Sequence, residues 1–227
     1  NIYQNTIFFV SSNKENKNLK QTINCKNIST KFMPVFYPKE TIVKIKNLNF
    51  NRSIFKILYV SRIVENKNLF YCLKILKKLN FKIYFTIIGP IENKSYWNYC
   101  KNLISELKSK VKIQYLGYKS NKEIFKIMKK SHCLLLPSKF ESFGHVIFQS
   151  FINGLPVITS KNTPWKNLKN KQIGADLELS NIDSFVKEII YLRNCKKNVY
   201  KKIRANALLF SKKTIIKNKQ FERTSIF

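Results

Sequence analysis

From Phe55 onward, short continuous apolar runs alternate with stretches whose apolar residues recur every three or four positions. The runs KILYVS (56 to 61), FKIYFTIIG (81 to 89), VKIQYLG (111 to 117), HCLLLP (132 to 137) and LPVIT (155 to 159) read as strands, the last two buried. Between them, Leu69, Cys72, Leu73, Leu76 and Leu79 fall on one helical face, and Tyr96, Cys100, Leu103, Ile104 and Leu107 on another. Ser120 and Glu123 form a capping box that opens a helix with Ile124, Ile127 and Met128 inward. Beyond Thr163-Pro164-Trp165 the pattern weakens into a loop-rich stretch, then resumes as two helices over roughly 181 to 192 and 196 to 211. Alternating strands and helices of these lengths predict an α/β fold, a doubly wound, Rossmann-like parallel sheet covered by helices on both sides.

Upstream the pattern is poorer. Residues 1 to 37 contain one apolar run, TIFFV, a Lys/Asn-rich segment and the proline-held extended FMPVFYP. Residues 38 to 54 are polar without a strong period and read as a linker. The expected division is therefore 1–37, a 38–54 linker, a 55–211 domain and a basic 212–227 tail. The chain starts at Asn1 rather than Met, which suggests part of a longer protein.

The stretch 137–160, PSKFESFGHVIFQSFINGLPVITS, holds the candidate chemistry. It reads as the end of a strand, a polar turn with Glu141 and Gly144, an apolar helix, a stop at Asn153-Gly154 and a second strand. In a parallel sheet this arrangement brings Glu141 and the free amides of the helix start to the carboxyl edge, where open α/β sheets bind ligands. Gly144 lets a ligand approach the backbone, the amides favour phosphate oxygens, and a carboxylate beside them suits hydroxyls. A ligand carrying both groups, such as a sugar nucleotide, fits the turn; so does a plain helix cap with no ligand.

Arg62, after the first strand of the domain, and Lys67, where the following helix opens at Glu65, lie on that same edge. Two cations and a helix start could converge there on one diphosphate. The alternative is a pair of solvated loop charges. Neither G-x-G-x-x-G nor G-x-x-x-x-G-K-[ST] occurs, which excludes those two phosphate motifs.

Composition adds a net charge of +31, built from 43 Lys and Arg against 12 Asp and Glu. Only five of the 43 are Arg, and they are scattered. Nucleic-acid readout favours the planar Arg fork, so the excess reads first as codon bias and second as attraction to an anionic membrane leaflet. Five widely spaced cysteines and two histidines, His132 and His145, give no zinc pattern and no disulfide framework, as in a reducing cytoplasm. No apolar run approaches the roughly 20 residues that span a bilayer.

Taken in order, SRIVENKNL, YLGYKSNKEIFKIMKKSHCLLLPSKFESFG and NGLPVIT resemble the nucleotide-sugar-binding domain of retaining GT-B glycosyltransferases, specifically glycosyltransferase family 4 of the bacterial polysaccharide-assembly type. The resemblance covers roughly 55 to 192. It implies that Arg62 and Lys67 bind the donor diphosphate and that Glu141, the first Glu of the family's E-x7-E motif, contacts the donor sugar. By the same likeness the amides of Phe143, Gly144 and His145 cradle sugar and phosphate, Tyr118 lies in the segment flanking the nucleobase, and Thr163-Pro164-Trp165 matches a loop of polysaccharide-assembly members. Two departures stand out. The second Glu of the motif, which grips the ribose, is Gln149 here, and the family's amino-terminal acceptor-binding domain is mostly absent, residues 1 to 37 supplying only its remnant.

The resemblance thus implies a cytoplasmic or inner-face peripheral enzyme that moves a sugar from a nucleotide-diphosphate donor to a glycan or lipid-linked hydroxyl acceptor. It would need no metal and no cofactor, in keeping with the lack of an Asp-x-Asp, and this chain alone would turn over poorly. A donor-binding protein without catalysis and a Lys-rich nucleic-acid or membrane-surface module are the competing readings.

Overall fold

The computed structural model describes residues 6–10, 13–23, 29–32, 53–107 and 109–225. Most of the expected linker, 38 to 52, and most of FMPVFYP lie outside them. The amino-terminal part holds β1 (Ile7–Val10), α1 (Asn13–Thr22) and β2 (Ser29–Phe32), in which the two strands pair in parallel.

The main sheet has six strands: β3 (Phe55–Val60), β4 (Ile83–Ile88), β5 (Val111–Tyr115), β6 (Cys133–Leu136), β7 (Val157–Ser160) and β8 (Gly174–Leu177). They are all parallel, in the order β5-β4-β3-β6-β7-β8. The chain builds outward from β3 to β5, returns across the sheet through α4 (Asn121–Lys130) to β6, and builds outward the other way. Right-handed crossovers that run in opposite directions put their helices on opposite faces. The fold is the expected Rossmann-like, doubly wound α/β sheet.

The predicted helical faces face the core. In α2 (Leu69–Lys78), Leu69, Cys72, Leu73 and Leu76 are buried, as is Leu79 beyond its end. In α3 (Lys94–Ser105), Tyr96, Cys100 and Leu103 are buried, with Ile104 and Leu107 packed at the margin. The capping box of α4 is complete: the Ser120 hydroxyl accepts from the Glu123 amide while the Glu123 carboxylate accepts from Ser120. Those bonds hold the Glu123 carboxyl below its ordinary range.

Three expectations are corrected. The second helix does not open at Glu65: Glu65–Lys67 is a single 3-10 turn, Asn68 takes a left-handed conformation (φ 58°), and α2 starts at Leu69. The loop-rich stretch after Trp165 contains β8, which the pattern missed because Gly-Ala-Asp-Leu lacks the β-branched run of a strand. Gly174 is needed there, since a Cβ would sit 1.8 Å from the Val157 carbonyl oxygen. The last helix does not stop near 211; α7 runs over Lys197–Ser225 after α6 (Ile182–Asn194).

Leu135 lies in β6 between β3 and β7 and is fully buried. Leu135→Asp would put a carboxylate there without a partner, a cost of several kcal/mol against a total stability of about 5–15. The variant is expected to be insoluble or without a cooperative melt by circular dichroism; a soluble, cooperatively melting product would contradict the central placing of β6.

Candidate functional site

In this strand order β3 and β6 are neighbours whose following chains leave toward opposite faces. The gap between those departures is the topological switch point, where open α/β sheets form their crevice. Lys67 follows β3 and Glu141 follows β6, and across the gap Lys67 Nζ donates to Glu141 Oε1 at 2.7 Å. The Ser138 hydroxyl donates to the same oxygen at 2.8 Å. The ion pair is largely enclosed, with side-chain exposures of 12% and 10%.

The two loops are tied together by more than this pair. Asn66 donates its side-chain amide to the Phe140 carbonyl at 3.2 Å, and its own carbonyl accepts from Lys139 N–H at 2.8 Å. Asn68 donates to the Pro137 carbonyl at 3.0 Å, which gives its left-handed backbone a purpose. From the end of β7 the Ser160 hydroxyl donates to the Ser138 carbonyl, and in the loop beyond it Asn162 O accepts from Glu141 N–H at 3.2 Å. Under Lys67, the Tyr59 hydroxyl donates to its carbonyl at 3.3 Å, and burial raises the Tyr59 phenol well above its ordinary value.

The turn after Glu141 leads into α5 (His145–Ile152) through Gly144, whose φ of +76° favours glycine. A Cβ there would crowd Ile147 Cδ1 at 3.1 Å and stand in ordinary contact, at 3.4 Å, with the Trp165 indole nitrogen. That indole N–H donates to the Phe143 carbonyl. Trp165 stacks on Phe148 with centroids 5.4 Å apart, packs edge-on against Phe143 at 5.2 Å, and touches Phe210 of α7 at 6.1 Å. Thr163 is buried, and its hydroxyl accepts from the Trp165 amide at 3.3 Å. The 163–165 loop is therefore a brace under the turn.

The other candidates are dispersed around this centre. Arg62 is on the same edge but is turned to Glu92, at 2.8 Å and with exposures of 58% and 40%. His145 is exposed at the first position of α5, with its ring 5.0 Å from that of Phe143. Gln149 points away from the packed face formed by Ile147, Phe148, Phe151 and Ile152, and its amide reaches Asn121 Oδ1 at the start of α4, 3.4 Å away. Tyr118 is 77% exposed in the loop after β5, and Tyr115 donates its hydroxyl to the Gly89 carbonyl at 2.9 Å. The structure joins Lys67 with Glu141, two residues before the 143–144 turn, and leaves Arg62, Tyr118 and Gln149 as separate side chains with other partners or exposed. Sequence reasoning missed Asn66, Asn68, Ser138 and Ser160, whose small polar side chains look like ordinary loop residues until the loops are brought together.

The protein-family model described as "Glycosyl transferases group 1" matches residues 41–209. Among curated proteins, the chain is 29% identical over 182 residues to an uncharacterized glycosyltransferase of Methanocaldococcus jannaschii, covering 69% of this chain and 45% of that one. It is 30% identical over 161 residues to a UDP-Gal:alpha-D-GlcNAc-diphosphoundecaprenol alpha-1,3-galactosyltransferase of Escherichia coli, covering 68% and 40%. Among solved structures, the HepE protein of Anabaena, in complex with UDP and glucose, superposes with a TM-score of 0.75 at 16% identity, over 95% of this chain and 62% of that one. The chain thus spans less than half the length of these curated relatives, and the structural likeness establishes the fold, a GT-B-type Rossmann-like domain.

Because the Lys67–Glu141 pair is enclosed, removing one partner leaves the other charge stranded. Lys67→Met is expected to lower stability by about 3 kcal/mol, and Lys67→Met/Glu141→Gln to recover most of that loss. Urea unfolding of the two variants and of Glu141→Gln closes the cycle; additive losses would show that the pair is not coupled.

Proposed function

The chain belongs to the glycosyl transferases group 1 family, and from this premise we propose that it is the donor-binding part of a retaining glycosyltransferase of family 4. The enzyme would move a sugar from a nucleotide-diphosphate sugar to a hydroxyl of a glycan or lipid-linked acceptor, in cell-surface polysaccharide assembly at the cytoplasmic face of the membrane. The observation that carries this reading is the Lys67–Glu141 ion pair at the switch point, with Glu141 three residues before the Gly144 cap of α5. Residues 1–37 are read as the remnant of an acceptor-binding domain, joined by the 38–54 linker to a donor domain over 55–211.

In this reading the anomeric carbon–oxygen bond to the diphosphate breaks and a bond to the acceptor oxygen forms with the same configuration. The main electrostatic task is the charge that develops on the leaving diphosphate. Lys67 carries three donors, of which Glu141 takes one, so the ammonium can hold the carboxylate and a phosphate oxygen together. The amides of Phe143, Gly144 and His145 at the start of α5 add fixed dipoles, and no step is assigned to a metal. Glu141 receives both Lys67 and Ser138 on Oε1, which leaves Oε2 for donor-sugar hydroxyls. Gln149 would meet the ribose and Tyr118 the nucleobase. The E. coli relative is named for a UDP-sugar donor and a diphosphoundecaprenol acceptor, and HepE was solved with UDP and glucose; both support a donor of this class.

Arg62 must leave Glu92 to reach a diphosphate. A surface ion pair is worth about 0–1 kcal/mol, whereas a hydrogen bond to a charged group is worth about 1.5–3, so the exchange favours the phosphate. Arg62→Ala is expected to weaken nucleotide-diphosphate binding by about 1–2 kcal/mol by calorimetry, with Lys67→Ala acting in the same direction. Unchanged affinity in both would remove the diphosphate from this edge.

Gln149 favours a second reading, donor binding without transfer, because an amide oxygen accepts ribose hydroxyls less well than a carboxylate. Since its side chain lies off the packed face, Gln149→Glu is expected to keep the melting temperature and tighten donor binding by up to about 1 kcal/mol. A lower melting temperature with unchanged or weaker binding would take Gln149 out of the site.

A further inference from the structure

Helix α7 uses one face in the ordinary way: Tyr200, Ile203, Ala207, Ser211 and Ile215 are buried against the domain. Its outward face has a second apolar line that the core does not use. Leu209 and Ile216 are each 52% exposed, and Ala205, one turn before Leu209, is exposed as well. At 3.6 residues per turn these three fall on one narrow stripe. Lys202 and Lys213 border it on one side and Lys201 and Lys212 on the other, all four exposed. No acidic residue occurs between Glu188 and Glu222.

We infer that this outward face of α7 is a docking surface for an anionic lipid bilayer, with Leu209 and Ile216 entering the headgroup boundary and the lysine rows pairing with lipid phosphates. An apolar stripe between two rows of long cationic side chains is the pattern of a helix that lies in the interface plane, because lysine stems lie along the apolar layer while their ammonium groups stay at headgroup level. Charge complementarity selects the leaflet: each lysine near an anionic surface adds attraction, and the whole chain carries +31. A nucleic acid would use the lysines but would leave the branched apolar residues between them in water, whereas a bilayer offers them an apolar layer to enter. No helix among the described residues is long and apolar enough to cross a membrane, and the contact inferred here lies along the bilayer surface.

The position of α7 gives the contact a use. Near its start the Tyr200 hydroxyl donates to the His132 carbonyl, at the amino end of β6, whereas further along Phe210 packs against Trp165 beneath the Phe143–Gly144 turn. The helix thus runs from the amino edge of the sheet to the edge that bears the candidate site. A bilayer along its outer face would hold that site beside the lipid surface. This inference stands whether or not the donor reading does.

The test uses the full chain and sedimentation with vesicles of phosphatidylcholine, with and without phosphatidylglycerol. Binding is expected only when phosphatidylglycerol is present, and Leu209→Glu/Ile216→Glu is expected to weaken it about tenfold or more with an unchanged melting temperature. Lys201→Gln/Lys202→Gln/Lys212→Gln/Lys213→Gln, which alters exposed positions alone, should weaken it as well and so guards against a folding defect in the first variant. The inference is overturned by any of three results. The first is an absence of binding to the anionic vesicles. The second is binding that neither variant reduces, which would reflect diffuse charge elsewhere. The third is a self-associated protein that Leu209→Glu/Ile216→Glu converts to monomer, which would make the face a contact between copies of this chain.

Discussion

Two adjacent parallel strands whose connections depart toward opposite faces leave an opening that neither helix layer can cover. In this chain that opening lies between β3 and β6, and the Lys67–Glu141 ion pair spans it. Most of what surrounds the pair can be understood as support for it. The 3-10 turn at Glu65–Lys67 and the left-handed Asn68 shape the loop so that the ammonium faces the crevice, and Ser138 shares the carboxylate oxygen with it. Enclosure makes the arrangement consequential: two charges 2.7 Å apart out of water hold each other strongly, and each would be costly alone.

Contrast this with Arg62 and Glu92, which are equally close and far more exposed. Water screens that pair, so it can open at little cost, and an anionic ligand could recruit Arg62 without disturbing the fold. The two cations that the resemblance pairs therefore differ in kind. One is enclosed in an ion pair between two loops and the other is an exposed side chain on the same edge. The turn before α5 is fixed as well, but by aromatic packing: Trp165 anchors the Phe143 carbonyl and is itself clamped between Phe148, Phe151 and Phe210.

The central strands were legible in the sequence because they are buried on both faces and so read as unbroken apolar runs, KILYVS and HCLLLP most plainly, whereas the edge strand β5 is largely exposed and was found as a mixed run. Gly174-Ala-Asp-Leu escaped notice because a strand made possible by the absence of a side chain carries little hydrophobic signal. The edge carrying Lys67 and Glu141 followed from parallel topology alone, but their direct bond did not. A bond between residues 74 positions apart depends on the strand order, and periodicity within each run does not reveal that order. The Asn66, Asn68, Ser138 and Ser160 contacts were hidden for the same reason. Trp165 was noticed through family resemblance, while its service as a brace for Gly144 emerges only from the packed aromatic cluster.

That cluster has an optical consequence. The chain has two tryptophans. Trp165 is packed against the Phe143 ring and bonded to its carbonyl at one end of the crevice, while Trp97 lies 5.0 Å from Tyr115, ahead of the loop that bears Tyr118, toward the other. One indole is enclosed and the other only partly so, which gives them different surroundings and hence different emission. The protein carries its own pair of fluorophores, one bonded to the Phe143 carbonyl and one beside β5, so replacing either indole by phenylalanine would leave a single reporter at the other position without attaching a dye.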